Sequence, residues 1–101
     1  MNRLLLIAVI VGCLGAVGAA QAAGDAAAGK AKAASCAGCH GATGQGTGMG
    51  PRLAGMAPAS FTSAMQAYKS GARSNAMMKA QASGLSDTDL ANLAAYYASL
   101  K

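Results

Sequence analysis

Cys36-Ala37-Gly38-Cys39-His40 decides how this chain is read. Two thiols and an imidazole fall within five residues of a chain that has three cysteines and one histidine. The pattern is C-x-x-C-H, the attachment signature of a c-type haem. At the end of a helix, two cysteines three residues apart reach the two vinyl groups on one porphyrin edge and form thioethers. The adjacent His40 is then placed to ligate iron from the proximal side. Other chemistries of the same residues fit less well. A Cys36–Cys39 disulfide or thioredoxin-like redox pair belongs in a βαβ context, and this sequence has no strand pattern. A zinc site needs further ligands, and outside the N-terminal segment no other Cys or His is available.

The composition around the motif leaves room for such a group. The chain has 101 residues and is 53% hydrophobic, but every Val and Ile lies in the first 17 residues. Beyond residue 22 the large apolar side chains are five Leu, five Met, Phe61 and three Tyr; most of the remaining apolar count is alanine. A domain this small and this poor in branched and aromatic residues needs a staple to fold. A haem supplies the missing apolar body. Multi-domain enzymes and β-sandwiches are excluded by length and by the lack of β-branched residues.

The N-terminus reads as an export signal over residues 1–22. Arg3 gives a positive start, an apolar run follows from Leu4 to about Val17, and Ala20-Gln21-Ala22 fits a small-x-small cleavage site. The folded domain is then residues 23–101. Two minority readings are an uncleaved membrane anchor and a lipid attached at Cys13. All three carry the domain out of the cytoplasm, to the periplasm in a bacterium, where covalent cysteine chemistry is favoured. The formal charge is +5, without a Lys/Arg cluster and with few aromatics, so no nucleic-acid surface is read, and no membrane span is expected after cleavage.

The pattern predicts an all-α fold of three main helices. Asp25 caps a first helix through Ala26–Ala37, interrupted by a costly Gly29. Seven glycines between Gly38 and Gly55 predict a loop. Pro58 opens a second helix with Phe61, Met65 and Tyr68 on one face, and Gly71 closes it. Residues 72–85 show no period and are read as a loop. Ser86 then caps a last helix over about Asp87–Leu100, with Leu90, Leu93, Tyr97 and Leu100 as its apolar stripe. With no second His, a second iron ligand must be a Met. Met65 belongs to the core face, Met49 lies awkwardly close to His40, and Met56 serves as cover, which leaves Met77 and Met78 equal.

On these residues the chain resembles the class I c-type cytochromes over residues 24–100, and is most similar to one haem domain of the small bacterial mono- and di-haem members. The matching pieces beyond the motif are Gly50-Pro51-Arg52-Leu53-Ala54-Gly55, Tyr68-Lys69-Ser70-Gly71-Ala72-Arg73-Ser74-Asn75, Leu85-Ser86-Asp87 and Ala94-Ala95-Tyr96-Tyr97. The resemblance implies a cytochrome c fold around one covalent haem c, with Cys36 and Cys39 as thioethers and His40 as proximal ligand. It implies that the Pro51 carbonyl orients His40, that Met78 is the distal ligand with Met77 as second choice, and that Arg73 lies near the haem propionates. It implies a Gly29 contact with Tyr96 or Tyr97, where the first and last helices cross. The implied function is a periplasmic one-electron carrier, not an enzyme, that shuttles between a quinol-oxidising complex and a terminal oxidase or reductase. Rival functions are a cytochrome subunit of a dehydrogenase and a five-coordinate haem sensor or enzyme.

Overall fold

The computed structural model describes residues 24–101; the expected export signal, its expected cleavage site and Cys13 lie outside them. The order is α1 (Ala26–Lys32), a 3-10 turn (Ala33–Ser35), α2 (Ala37–His40), α3 (Pro58–Ser70), α4 (Ala76–Ser83) and α5 (Asp87–Ser99). Among the described residues there is no strand, only a bridge between Thr47 and Gly50. The chain is all-α, as its patterning predicts.

The frame is α1 crossed on α5, with α3 also packed on α5. Asp25 caps α1 by accepting from the amides of Ala27 and Ala28. Ser86 and Asp89 form a reciprocal capping box that starts α5. Gly29 is where α1 meets α5. A Cβ there would stand 2.0 Å from the Asn92 carbonyl oxygen and 2.9 Å from the Tyr96 Cβ, so only glycine lets the helices approach. The aromatic at this crossing is Tyr96. The core beneath is small. Leu90, Leu93 and Tyr97 are its largest fully buried side chains, each worth about 1.5–3 kcal/mol relative to exposure. Tyr97 also meets Phe61 with ring centroids 5.7 Å apart.

Two boundaries differ from the sequence reading. The first helix does not run unbroken through Ala37. It tightens into a 3-10 turn after Lys32 and restarts at Ala37, so the last four residues of the C-x-x-C-H stretch occupy their own helical turn, ending at His40. The alanine-rich run hides the break because alanine favours helix throughout. Residues 72–85 are not wholly a loop. Asn75 caps α4 by accepting from the Met78 amide at 3.0 Å, and Met77 and Met78 stand on that helix. No stripe announces α4, because Ala82 is its single buried residue.

Candidate functional site

Two apolar hollows join into one cleft between α2, the Gly50–Leu53 loop, α3 and α4. Cys39, His40, Leu53, Phe61, Met65, Met77 and Met78 line both. The larger hollow holds about 500 Å³, within the roughly 300–1,000 Å³ of sites for cofactor-sized ligands. The core that α1, α3 and α5 build therefore stops short of filling the molecule. What remains is an apolar slot.

One wall is α2. Cys36 and Cys39 are both half-buried and unpaired with each other. Cys36 lines the smaller hollow only. The buried phenol of Tyr97 lies against Cys36; burial pushes its pKa well above the ordinary range, and the neighbouring thiol adds to that. Tyr97 is thus neutral, and it ties α5 to this wall.

His40 is 6% exposed. Its Nδ1 lies 2.8 Å from the Pro51 carbonyl oxygen. A carbonyl only accepts, so Nδ1 carries the proton and Nε2 keeps its lone pair for a metal. The loop that brings Pro51 there is pinned on both sides. The Gly46 amide donates to the His40 carbonyl at 2.8 Å, and the Thr47 hydroxyl donates to the Cys39 carbonyl. Gly50 fits flat against the imidazole: a Cβ would sit 2.9 Å from His40 Nδ1 and 2.8 Å from the Cys39 carbonyl oxygen. The sequence reading used Gly50 only as part of a matching segment. Its signal is the Gly-Pro pair itself, a backbone that must approach closely.

The other wall is α4. Met78 is half-buried and lines both hollows, whereas Met77 is 68% exposed although it lines them too. Met65 is buried in the core. Met49, at 76% exposure, reaches only the rim of the larger hollow. Arg73 lines the larger hollow, its Cζ 4.9 Å from the centre of the Tyr68 ring. Arg52 lines it as well, a residue the sequence reading left without a role of its own.

These residues fit a covalently held haem. Two unpaired thiols and a metal-ready imidazole share one wall, thioethers face them from another, and the slot between is apolar. Among the described residues no cluster of three His, Cys, Asp or Glu is present that could hold a bare metal ion. An iron here would therefore have to arrive with most of its ligands, as it does in a porphyrin.

Comparison with known proteins agrees. Residues 26–101 match the family model described as Cytochrome c. The chain is 46% identical over 79 residues to cytochrome c-554(548) of Halomonas halodenitrificans, a match covering 74% of this chain and 95% of that protein. Two solved cytochrome c4 structures share the fold. That of Acidithiobacillus ferrooxidans superposes with a TM-score of 0.71 at 32% identity, over 74% of this chain and 49% of the other. That of Pseudomonas stutzeri gives 0.72 at 36% identity, over 78% and 47%. The chain spans about half the length of these two.

Proposed function

Since the chain belongs to the cytochrome c family, we propose that it is a periplasmic monohaem electron carrier in which His40 and Met78 hold the iron from opposite walls. The covalently bound haem c supplies one Fe(III)/Fe(II) couple, and no substrate is transformed. Cys36 and Cys39 anchor the group through thioethers, so it is not lost between encounters. His40 would offer Nε2 to the iron, while Nδ1 keeps its proton and donates it to the Pro51 carbonyl, which fixes the ring plane and raises the basicity of the ligand. Met78 gives a soft sulfur, and His/Met ligation favours a higher potential than His/His. With His40 and Met78 both engaged, a bound haem would keep no position open for substrate or gas.

The observation that carries this reading is the cleft itself: Cys39 and His40 on one wall, Met78 on another, and apolar side chains between. Met78 is favoured over Met77 because it is the more buried, and Asn75 holds its backbone. Electrons leave through the edge near Cys36 and Cys39. Gly38 between them faces open space, and no charged side chain lines that hollow, so a partner can approach closely. The partners are redox proteins bound through small, transient interfaces, with a quinol-oxidising complex on one side and a terminal oxidase or reductase on the other. The export signal carries the periplasmic assignment, and among the described residues no helix is long and apolar enough to cross a membrane.

Met78→Ala tests the ligand set. The variant should keep its haem, lose the long-wavelength absorption band of a thioether-ligated ferric haem, and bind carbon monoxide rapidly when reduced. Met77→Ala should keep the band. Loss of the band in Met77→Ala alone overturns the choice of Met78. Rapid carbon monoxide binding by the unmodified protein overturns the carrier.

A further inference from the structure

The larger hollow is ringed by sulfur. All five methionines beyond residue 22 line it: Met49, Met56, Met65, Met77 and Met78. They are graded from core to solvent. Met65 is 6% exposed, Met56 and Met78 are half-buried, and Met77 and Met49 stand at 68% and 76%. These last two are the exposed large hydrophobics of the described residues, and both lie on this one opening. Every described Leu, Phe and Tyr is buried or half-buried.

The two exposed thioethers are presented by fixed backbone. Met49 stands in a tight turn that the Thr47 amide closes on the Gly50 carbonyl at 2.8 Å, and its own amide donates to the Thr47 hydroxyl at 3.0 Å. Met77 stands on α4, one residue before Met78. Apolar cover alone is served as well by leucine. A thioether adds reactivity, since its sulfur yields an electron pair to an oxidant and becomes a sulfoxide, the more readily the more it is exposed. Few other groups compete. The chain has no Trp, and His40, Tyr96 and Tyr97 are buried. The same oxidation at Met78 would replace a soft sulfur ligand by a polar sulfoxide.

The structure assigns Met49 and Met77 a sacrificial role: a thioether screen at the mouth of the cleft that takes up two-electron oxidants such as hypochlorous acid before they reach Met78. This rests on the reading of Met78 as the distal ligand. In the step, a side-chain sulfur is oxidised by two electrons and hypochlorous acid is reduced to chloride. One S–O bond forms, the O–Cl bond breaks, and the proton goes to water. A sulfoxide at the rim stays within reach of a methionine sulfoxide reductase, which restores the thioether.

The experiment gives the exported, haem-loaded ferric protein hypochlorous acid at one equivalent per chain, and compares it with Met49→Leu/Met77→Leu at the same dose. Leucine keeps the apolar volume and removes the sulfur. Two quantities are read: the long-wavelength band of a thioether-ligated ferric haem, and the position of the added oxygen by tandem mass spectrometry of peptides. In the unmodified protein the oxygen should lie on Met77 and Met49, and the band should stay. The double variant should lose several-fold more of the band, with the oxygen on Met78. Equal band loss in the two proteins, or oxygen on Met78 in step with Met77 in the unmodified protein, overturns the screen and leaves the ligand set standing. The mass map of the unmodified protein decides the matter even where the variant does not load. A band missing from the double variant before any oxidant is added is a different failure: Met77 would be the ligand, the choice of Met78 would fall, and the screen would fall with it.

Discussion

In the wall that carries Cys39 and His40, three hydrogen bonds converge around the imidazole: Gly46 on the His40 carbonyl, Thr47 on the Cys39 carbonyl, and Nδ1 on the Pro51 carbonyl. In the wall that carries Met77 and Met78, the helix has one buried residue, Ala82, and is fastened by the Asn75 cap and by Lys69 reaching the Leu85 carbonyl. The first wall is complete before any cofactor arrives. The second leans on the slot it faces, and its apolar side chains find their partner only when the slot is filled. A carrier gains from this arrangement. In the proposed carrier the chain would fix His40 beforehand, and Met78 would be fixed by closing over the group.

The largest effect should come from leaving the slot unfilled. Cys36→Ser with Cys39→Ser removes haem attachment, and the exported chain should lose its cooperative thermal transition. Hydrogen exchange should find α4 unprotected and α5 with the most residual protection, since Leu90, Leu93 and Tyr97 lie on α5. A sharp unfolding transition in this haem-free variant would show that the helical frame needs no staple.

The next largest effect strikes the complete wall. Gly50→Ala puts a methyl group against the Cys39 carbonyl and the His40 ring, an overpacking that costs about 1–3 kcal/mol. The loaded protein should unfold at lower temperature and show an altered iron-ligand spectrum. Gly38→Ala, which faces open space in the same wall, should fall within about 0.5 kcal/mol of the parent. Equal stability of the two variants would mean that the clamp on His40 is loose.

The weaker wall has its own probe. Asn75→Ala removes the N-cap of α4 and should cost about 1 kcal/mol. Its signature is local: faster exchange of α4 amides and faster displacement of the methionine by added imidazole, with α2 unchanged. A loss spread evenly over both walls would erase the distinction between them.

The same contrast explains what the sequence revealed. α3 and α5 were legible because each buries a stripe against the frame: Phe61 and Met65 in α3, Leu90, Leu93 and Tyr97 in α5, with Pro58, Gly71 and Ser86 marking ends. α4 was hidden because its apolar residues face a slot and not a core, and a slot imposes no period on the helix that lines it. The C-x-x-C-H stretch was legible since its chemistry is local. The closeness of Pro51 and Gly50 to His40 arises from a loop folding back across eleven residues, for which the only local sign is the Gly-Pro pair.

The smallest effect concerns the frame that both walls share. Asp89 holds its charge below the ordinary carboxylate range, chiefly because the Ser86 amide donates to it, with the Ser86 hydroxyl and Lys32 adding to this. Its bond with Lys32, at 3.6 Å, ties the start of α5 to α1. A carboxylate whose pKa is lowered on folding adds stability that is present above its unfolded value, near 3.8, and is lost as pH falls through the lower folded value. The loaded protein should therefore lose stability on acidification below about pH 4, and Asp89→Asn should flatten that limb while leaving the neutral-pH spectrum unchanged. The pair is exposed, so the change is small and salt reduces it. Its value lies in its pattern: because α5 supports both sides, acid should loosen α2 and α4 together in hydrogen exchange, where Asn75→Ala loosens α4 alone. Acid that opened only the methionine wall would place the weak point in α4 itself and not in the frame beneath it.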